Sequence, residues 1–189
     1  MARGLLLSRM AQIVERAREL ANTKHVSMHL GDTGRSPMLE HVSEVAAFVE
    51  EQGGSNEMIA AAWLHDIVED TDVTLEQVEE WFGPRVRDLV DGLTDPDDYA
   101  GLSLETRKQL QADRIRSLSD DVKRVKLCDQ LSNVERVMRR PPMEWSEETQ
   151  FTYIEGARKI ARECRGSWPA LDERFDAAYA EALRRYGRA

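Results

Sequence analysis

The sequence predicts an all-α fold. Three observations carry this: apolar residues recur at three-and-four spacing along most of the chain, no convincing period-two segment interrupts them, and Ser/Thr caps and Gly/Pro stops fall at helix-sized intervals. A chain of 189 residues is long enough to bury a sizeable core, and it has no repeat or long linker. The expectation is a single domain over residues 1–189, a bundle of about eight to ten helices, with its core in 24–140 and C-terminal helices in 146–186 packed on it.

The elements follow in order. Leu6, Met10, Ile13, Val14, Ala17 and Leu20 share one face, so a first helix is expected from about Leu5 to Thr23. Lys24 to Ser36 has no such period and reads as a loop. Pro37 opens a second helix to Gln52 that buries Met38, Val42, Val45, Ala46 and Val49 and ends at Gly53-Gly54. His41 stands on or beside that buried face. After Ser55 a third helix runs through the apolar Ile59–Leu64 into His65-Asp66-Ile67-Val68-Glu69-Asp70, read as one uninterrupted rod.

Thr74-Leu75-Glu76-Gln77 is a capping-box pattern, which predicts a short helix from Leu75 to Phe82. Gly83 stops it, and Pro84 starts the next, which Gly92 closes. Asp95 to Gly101 is a polar loop. Ser103 caps a helix to about Leu118, and Ser119 caps a longer one with Val122, Val125, Leu127, Leu131, Val134 and Val137 inward, ended by Pro141-Pro142. Two more are expected, from Glu147 to about Cys164 and from Pro169 to about Tyr186.

Composition narrows the function. Lys plus Arg number 26 against 35 Asp plus Glu, a net charge of −9, which argues against binding the phosphate backbone of a nucleic-acid polymer. A small polyanionic substrate stays open if a cation and a few local basic groups receive it. No run approaches the roughly 20 apolar residues of a membrane span. Leu5-Leu6-Leu7 stops at Ser8-Arg9, short of a signal-peptide core. Cys128 and Cys164 lack C-x-x-C spacing and read as free thiols in a reducing compartment. A soluble, cytoplasmic protein is expected, with no membrane partner.

On a continuous helix His65 would sit over Glu69, and Asp66 over Asp70. Desolvating one imidazole and three carboxylates costs several kcal/mol unless they are paired or hold a metal. His41, His65, Asp66 and, on the long later helix, Asp129 together form a mixed nitrogen and oxygen set. Such a set suits manganese or iron with positions open to water and substrate, better than a closed thiolate zinc site. Taken singly each has a plainer reading: a satisfied core histidine for His41, a surface charge for Asp129.

The joint order, His, then His-Asp, then Asp, resembles the signature of the HD-domain phosphohydrolases. Leu64-His65-Asp66-Ile67-Val68-Glu69-Asp70-Thr71-Asp72-Val73-Thr74-Leu75 closely resembles the corresponding stretch in the hydrolase domain of Rel/SpoT proteins and in the small alarmone hydrolases. The resemblance continues through Phe82-Gly83, Leu89 to Thr94 and Val125 to Asn133, covering roughly Lys24 to Met138. It implies that His41, His65, Asp66 and Asp129 bind a divalent metal, Mn²⁺ first and Fe²⁺ or another ion second, and that Glu69 and Asp70 serve catalysis. It also implies a small phosphorylated nucleotide as substrate, guanosine tetra- or pentaphosphate losing its 3′ pyrophosphate.

The chain departs from that pattern before the first ligand. The relatives carry a basic pair in a loop resembling Arg-Lys-x-Gly-x-Pro; here Asp32-Thr33-Gly34-Arg35-Ser36 precedes Pro37. Lys24 or Arg35 is the candidate replacement for phosphate contact, and Asn133, one turn after Asp129, for ribose or base. Gln130 and Ser132 occupy positions more often basic and His or Tyr. Arg107, Lys108, Lys123, Arg124, Lys126, Arg136, Arg139 and Arg140 are further candidates for phosphate contact, though taken singly most read as solvated helix faces. Two alternatives stay open: turnover of another phosphorylated nucleotide or dinucleotide, and a silent nucleotide-binding module, which would have no need of Glu69 and Asp70.

Overall fold

The computed structural model describes the backbone of residues 2–25, 37–166 and 168–188 and, in the first helix, side chains from residue 12 onward. Every regular element among the described residues is helical, as the apolar spacing predicts. The backbone gathers into two compact units, Met1–Thr94 and Asp95–Ala189.

The first unit holds α1 (Ala2–His25), α2 (Pro37–Glu51), α3 (Asn56–Leu64), α4 (Ile67–Asp70), α5 (Leu75–Phe82) and α6 (Pro84–Leu93). Helix α3 is its axis. Met58, Ile59, Ala60, Ala61, Ala62 and Leu64 are all buried, so the rod is apolar nearly all round, and α1, α2 and α6 pack on it. The alanines permit close approach, answered from α1 by Ala17 and Ala21, both fully buried. Ser55 caps α3 by accepting from the Met58 amide, 3.3 Å. The capping box of α5 forms in full: Gln77 N donates to Thr74 Oγ1, and Thr74 N donates to Gln77 Oε1 at 3.0 Å. Gly83 follows at φ +86, a conformation that favours glycine, and lets Pro84 start α6 at once.

Two expectations change here. Lys24 and His25 belong to α1 and do not open the loop; basic side chains in a last helical turn lie favourably against the helix dipole. The third helix is also not continuous: it ends at Leu64, and α4 begins at Ile67. Asp66 between them has φ −99 and ψ 1, in the bridge region of backbone space, and its carbonyl still accepts from Asp70 N at 3.0 Å.

The second unit holds a 3-10 turn (Asp97–Tyr99) followed by α7 (Leu104–Ile115), α8 (Asp120–Arg139), α9 (Glu147–Glu163) and α10 (Pro169–Arg185). Ser103, Ser119 and Ser146 cap α7, α8 and α9. Helix α9 packs on both α7 and α8, and α10 on α8 and α9. Val125, Leu127, Leu131, Ile154, Ile160 and Leu171 are at most 1% exposed and form the core of the unit. Gly156 brings α9 against α7: a Cβ built there would lie 2.5 Å from Lys108 Cγ and 2.7 Å from Lys108 Cβ.

Candidate metal centre

The interruption after Leu64 positions the site. Neighbouring residues on a straight helix point about 100° apart. The bridge-region turn at Asp66 instead sets Asp66 Oδ2 only 3.2 Å from His65 Nε2. From α2, His41 Nε2 approaches to 3.2 Å of His65 Nε2 and 3.8 Å of Asp66 Oδ2. The three donor atoms lie within 4.8 Å of one another. Both histidines are buried, at 5% and 1% exposure, whereas the Asp66 side chain keeps 24%, so the cluster is walled on the helix side and open on one edge.

The tautomer of His65 fits a cation. Its Nδ1 lies 2.8 Å from the Ala62 carbonyl oxygen, which can only accept, so Nδ1 carries the hydrogen, and in the neutral ring Nε2 then holds the lone pair. That lone pair faces His41 Nε2 and the Asp66 carboxylate. Two imidazole nitrogens and a carboxylate oxygen within 4.8 Å of one another, with one imidazole held by a backbone acceptor, have the chemistry to hold a divalent metal ion.

Glu69 and Asp70 follow on α4. Glu69 is exposed. Asp70 is half-buried, and its Oδ2 has no hydrogen-bond partner among the described residues. Burial first, and the nearby Asp66 charge second, push the Asp70 carboxyl up to about 6, with His65 pulling the other way.

Within the second unit Asp129 is buried on α8. Its Oδ2 accepts from Lys126 Nζ at 2.9 Å and Gln130 Nε2 at 2.8 Å, and its Oδ1 from Asn133 Nδ2 at 2.6 Å. Asn133 thus stands where the one-turn spacing predicts, but its amide is engaged with Asp129. Gln130, which departs from the family pattern, serves as a carboxylate donor.

Two buried cations flank this carboxylate, contrary to the solvated faces expected of them. Lys126 is 8% exposed and Lys108 only 5%. Lys108 Nζ lies 4.5 Å from the Tyr153 ring centroid and 3.5 Å from Gln130 Oε1. Burial, then the Lys126 charge, lowers its pKa from 10.5 to about 8. The spacing carries the missed signal: Lys108, Ala112 and Ile115 form one i, i+4, i+7 stripe, and all three are buried. Lys24 forms an ion pair with Asp72. Arg35 lies outside the described residues.

Known proteins resemble this chain along most of its length. A family model described as HD domain matches residues 17–176. The chain belongs to the HD-domain family. Human guanosine-3′,5′-bis(diphosphate) 3′-pyrophosphohydrolase MESH1 is 36% identical over 168 residues, which cover 88% of this HD chain and 92% of that protein. Its counterpart from Xenopus tropicalis is 32% identical over the same shares. A solved structure described as a metazoan ortholog of SpoT that hydrolyses ppGpp superposes with a TM-score of 0.80 at 30% identity, covering 94% of this chain and 97% of that one. No helix among the described residues is long and apolar enough to cross a membrane.

Proposed function

We propose that this HD protein is a metal-dependent phosphohydrolase that removes the 3′ pyrophosphate from guanosine tetra- or pentaphosphate. The observation that carries the proposal is the His41–His65–Asp66 donor cluster, with the His65 tautomer fixed for ligation, in a chain alignable over most of its length with pyrophosphohydrolases of that specificity. The family match runs across both compact units, which supports a single functional domain. Free buried thiols at Cys128 and Cys164 suit a reducing cytoplasm.

His41, His65 and Asp66 are the proposed ligands, with Asp129 a fourth on the strength of its motif. Mn²⁺ is the proposed ion, because nitrogen and carboxylate donors without thiolate suit it, and Fe²⁺ comes second. Such an ion supplies Lewis acidity toward a phosphoryl oxygen and lowers the pKa of water.

The remaining chemistry falls to the chain. Asp70, with its carboxyl near pH 6, is poised to take a proton from the attacking water and pass it on, since a base works best close to the operating pH. Glu69 is assigned to orient that water. Asn133 is the proposed contact to ribose or base, and Lys24 and Arg35 the proposed contacts to phosphate.

The changed sequence before Pro37 favours testing substrates side by side. With Mn²⁺ present, a panel of ppGpp, pppGpp, ppApp, NADPH and ordinary nucleotides is expected to show fastest turnover of the guanosine pair, with GDP or GTP and pyrophosphate as products. Clear turnover of another member with none of ppGpp would transfer the function to that nucleotide. Binding without consumption of any member would make the protein a sensor.

A further inference from the structure

His25 stands beside the donor cluster, outside both the ligand set and the acid–base pair. It is the last residue of α1 and is 0% exposed. Neither Nδ1 nor Nε2 has a hydrogen-bond partner among the described residues. Helix α1 carries it inward on one stripe, Ala17, Ala21 and His25, and packs on α3, the helix that leads into His65. A buried polar group left unsatisfied destabilises the fold, so an apolar residue would fill the same space more favourably.

The surroundings of His25 point to a ligand-linked use. It lies within electrostatic reach of Asp66, His65 and His41, and of these the Asp66 carboxylate is the group that favours its charged form. It is not one of the three donors that gather within 4.8 Å, so it sits beyond the ligand triangle. Asp66 turns Oδ2 toward both histidines. A carboxylate that ligates through one oxygen keeps its orientation when a donor holds the other, and such outer partners are worth about 10–100-fold in metal affinity.

We propose that His25 is a positioning residue of the metal centre, its imidazole N–H holding the Asp66 carboxylate through one ordered water while the carboxylate faces the cation. The inference rests on the metal reading above. Helix α1 thereby becomes part of the site, and its last turn couples folding of the N-terminal segment to metal affinity.

The test is titration of the metal-stripped full chain with Mn²⁺ and Co²⁺, in wild type, His25→Phe and His25→Gln. His25→Phe is expected to lose about 10–100-fold in affinity and to alter the Co²⁺ visible spectrum, while His25→Gln, which keeps a donor, recovers most of both. Thermal melts of the metal-free variants separate folding from ligation. A folded His25→Phe with wild-type affinity and spectrum overturns the inference. Should that variant not fold, ¹⁵N shifts of the wild-type imidazoles on Zn²⁺ addition decide. A His25 shift short of that of a metal-bound nitrogen supports the role; an unmoved signal, or a fully ligated one, overturns it. Wild type that binds no metal at all sinks the metal reading itself, a different outcome.

Discussion

Replacing Lys108 with Met isolates the energetic effect of a buried cation. Holding the ammonium at about 8 instead of 10.5 costs the folded protein about 3 kcal/mol at pH 7. The sign follows from proton counts: between pH 8 and 10.5 the unfolded chain binds more protons at this residue, so the penalty shrinks as pH rises through that window. Met keeps the stem that packs on Gly156 and gives up the cation over Tyr153, worth about 1 kcal/mol. Lys108→Met should therefore stabilise the metal-free protein by about 2 kcal/mol at pH 7, falling to about zero near pH 10. Urea unfolding at both pH values, fitted with a common slope, measures the difference. A variant less stable than wild type by equal amounts at both pH values would refute the claim that Lys108 is held charged against desolvation.

Other perturbations bear on the rest of the account. The raised Asp70 pKa favours the folded state below about pH 4, a contribution lost as pH climbs through 6. Asp70→Asn should therefore stabilise the metal-free protein above pH 6 by about 1–2 kcal/mol after solvent screening, with no gain near pH 4, while abolishing most turnover; melts at the two pH values check the first part. Gly156→Ala forces a methyl against the Lys108 stem near its backbone end. The expected cost is about 1–3 kcal/mol of overpacking, less about 1 kcal/mol of helix propensity, read as a lowered urea midpoint.

The helix order was legible because each boundary has a local chemical cause. Ser103, Ser119 and Ser146 begin helices where their hydroxyls meet amides three residues on, and the α5 capping box forms at the residues that spell it. The break after Leu64 was not legible, because Ile67 and Val68 continue the apolar period and neither Gly nor Pro marks the turn. It is marked by Asp66 in the bridge region, where the gain is convergence of donors. His41, His65 and Asp66, expected from the order His, His-Asp, Asp and the family resemblance it carries, lie together in space. The burial of His25 and Lys108 is hidden by composition, His25 standing near the start of a stretch without apolar period and Lys108 beside Arg107 on a helix rich in basic residues. Both lie on stripes of small or apolar residues at helical spacing, Ala17 and Ala21 ahead of His25 at four apart and Ala112 and Ile115 after Lys108 at four and seven, which carry them inward.

The central claim, metal-dependent hydrolysis at the His41–His65–Asp66 cluster, is tested most directly by one titration. Metal-stripped protein is mixed with ppGpp, and GDP and pyrophosphate are followed as Mn²⁺ is added, with Asp66→Ala as control. The account predicts no turnover without metal, equal release of both products as Mn²⁺ saturates the wild type, and none from Asp66→Ala at any Mn²⁺ concentration where it remains folded. Turnover that persists after exhaustive chelation, or an Asp66→Ala protein as active as wild type, would contradict it.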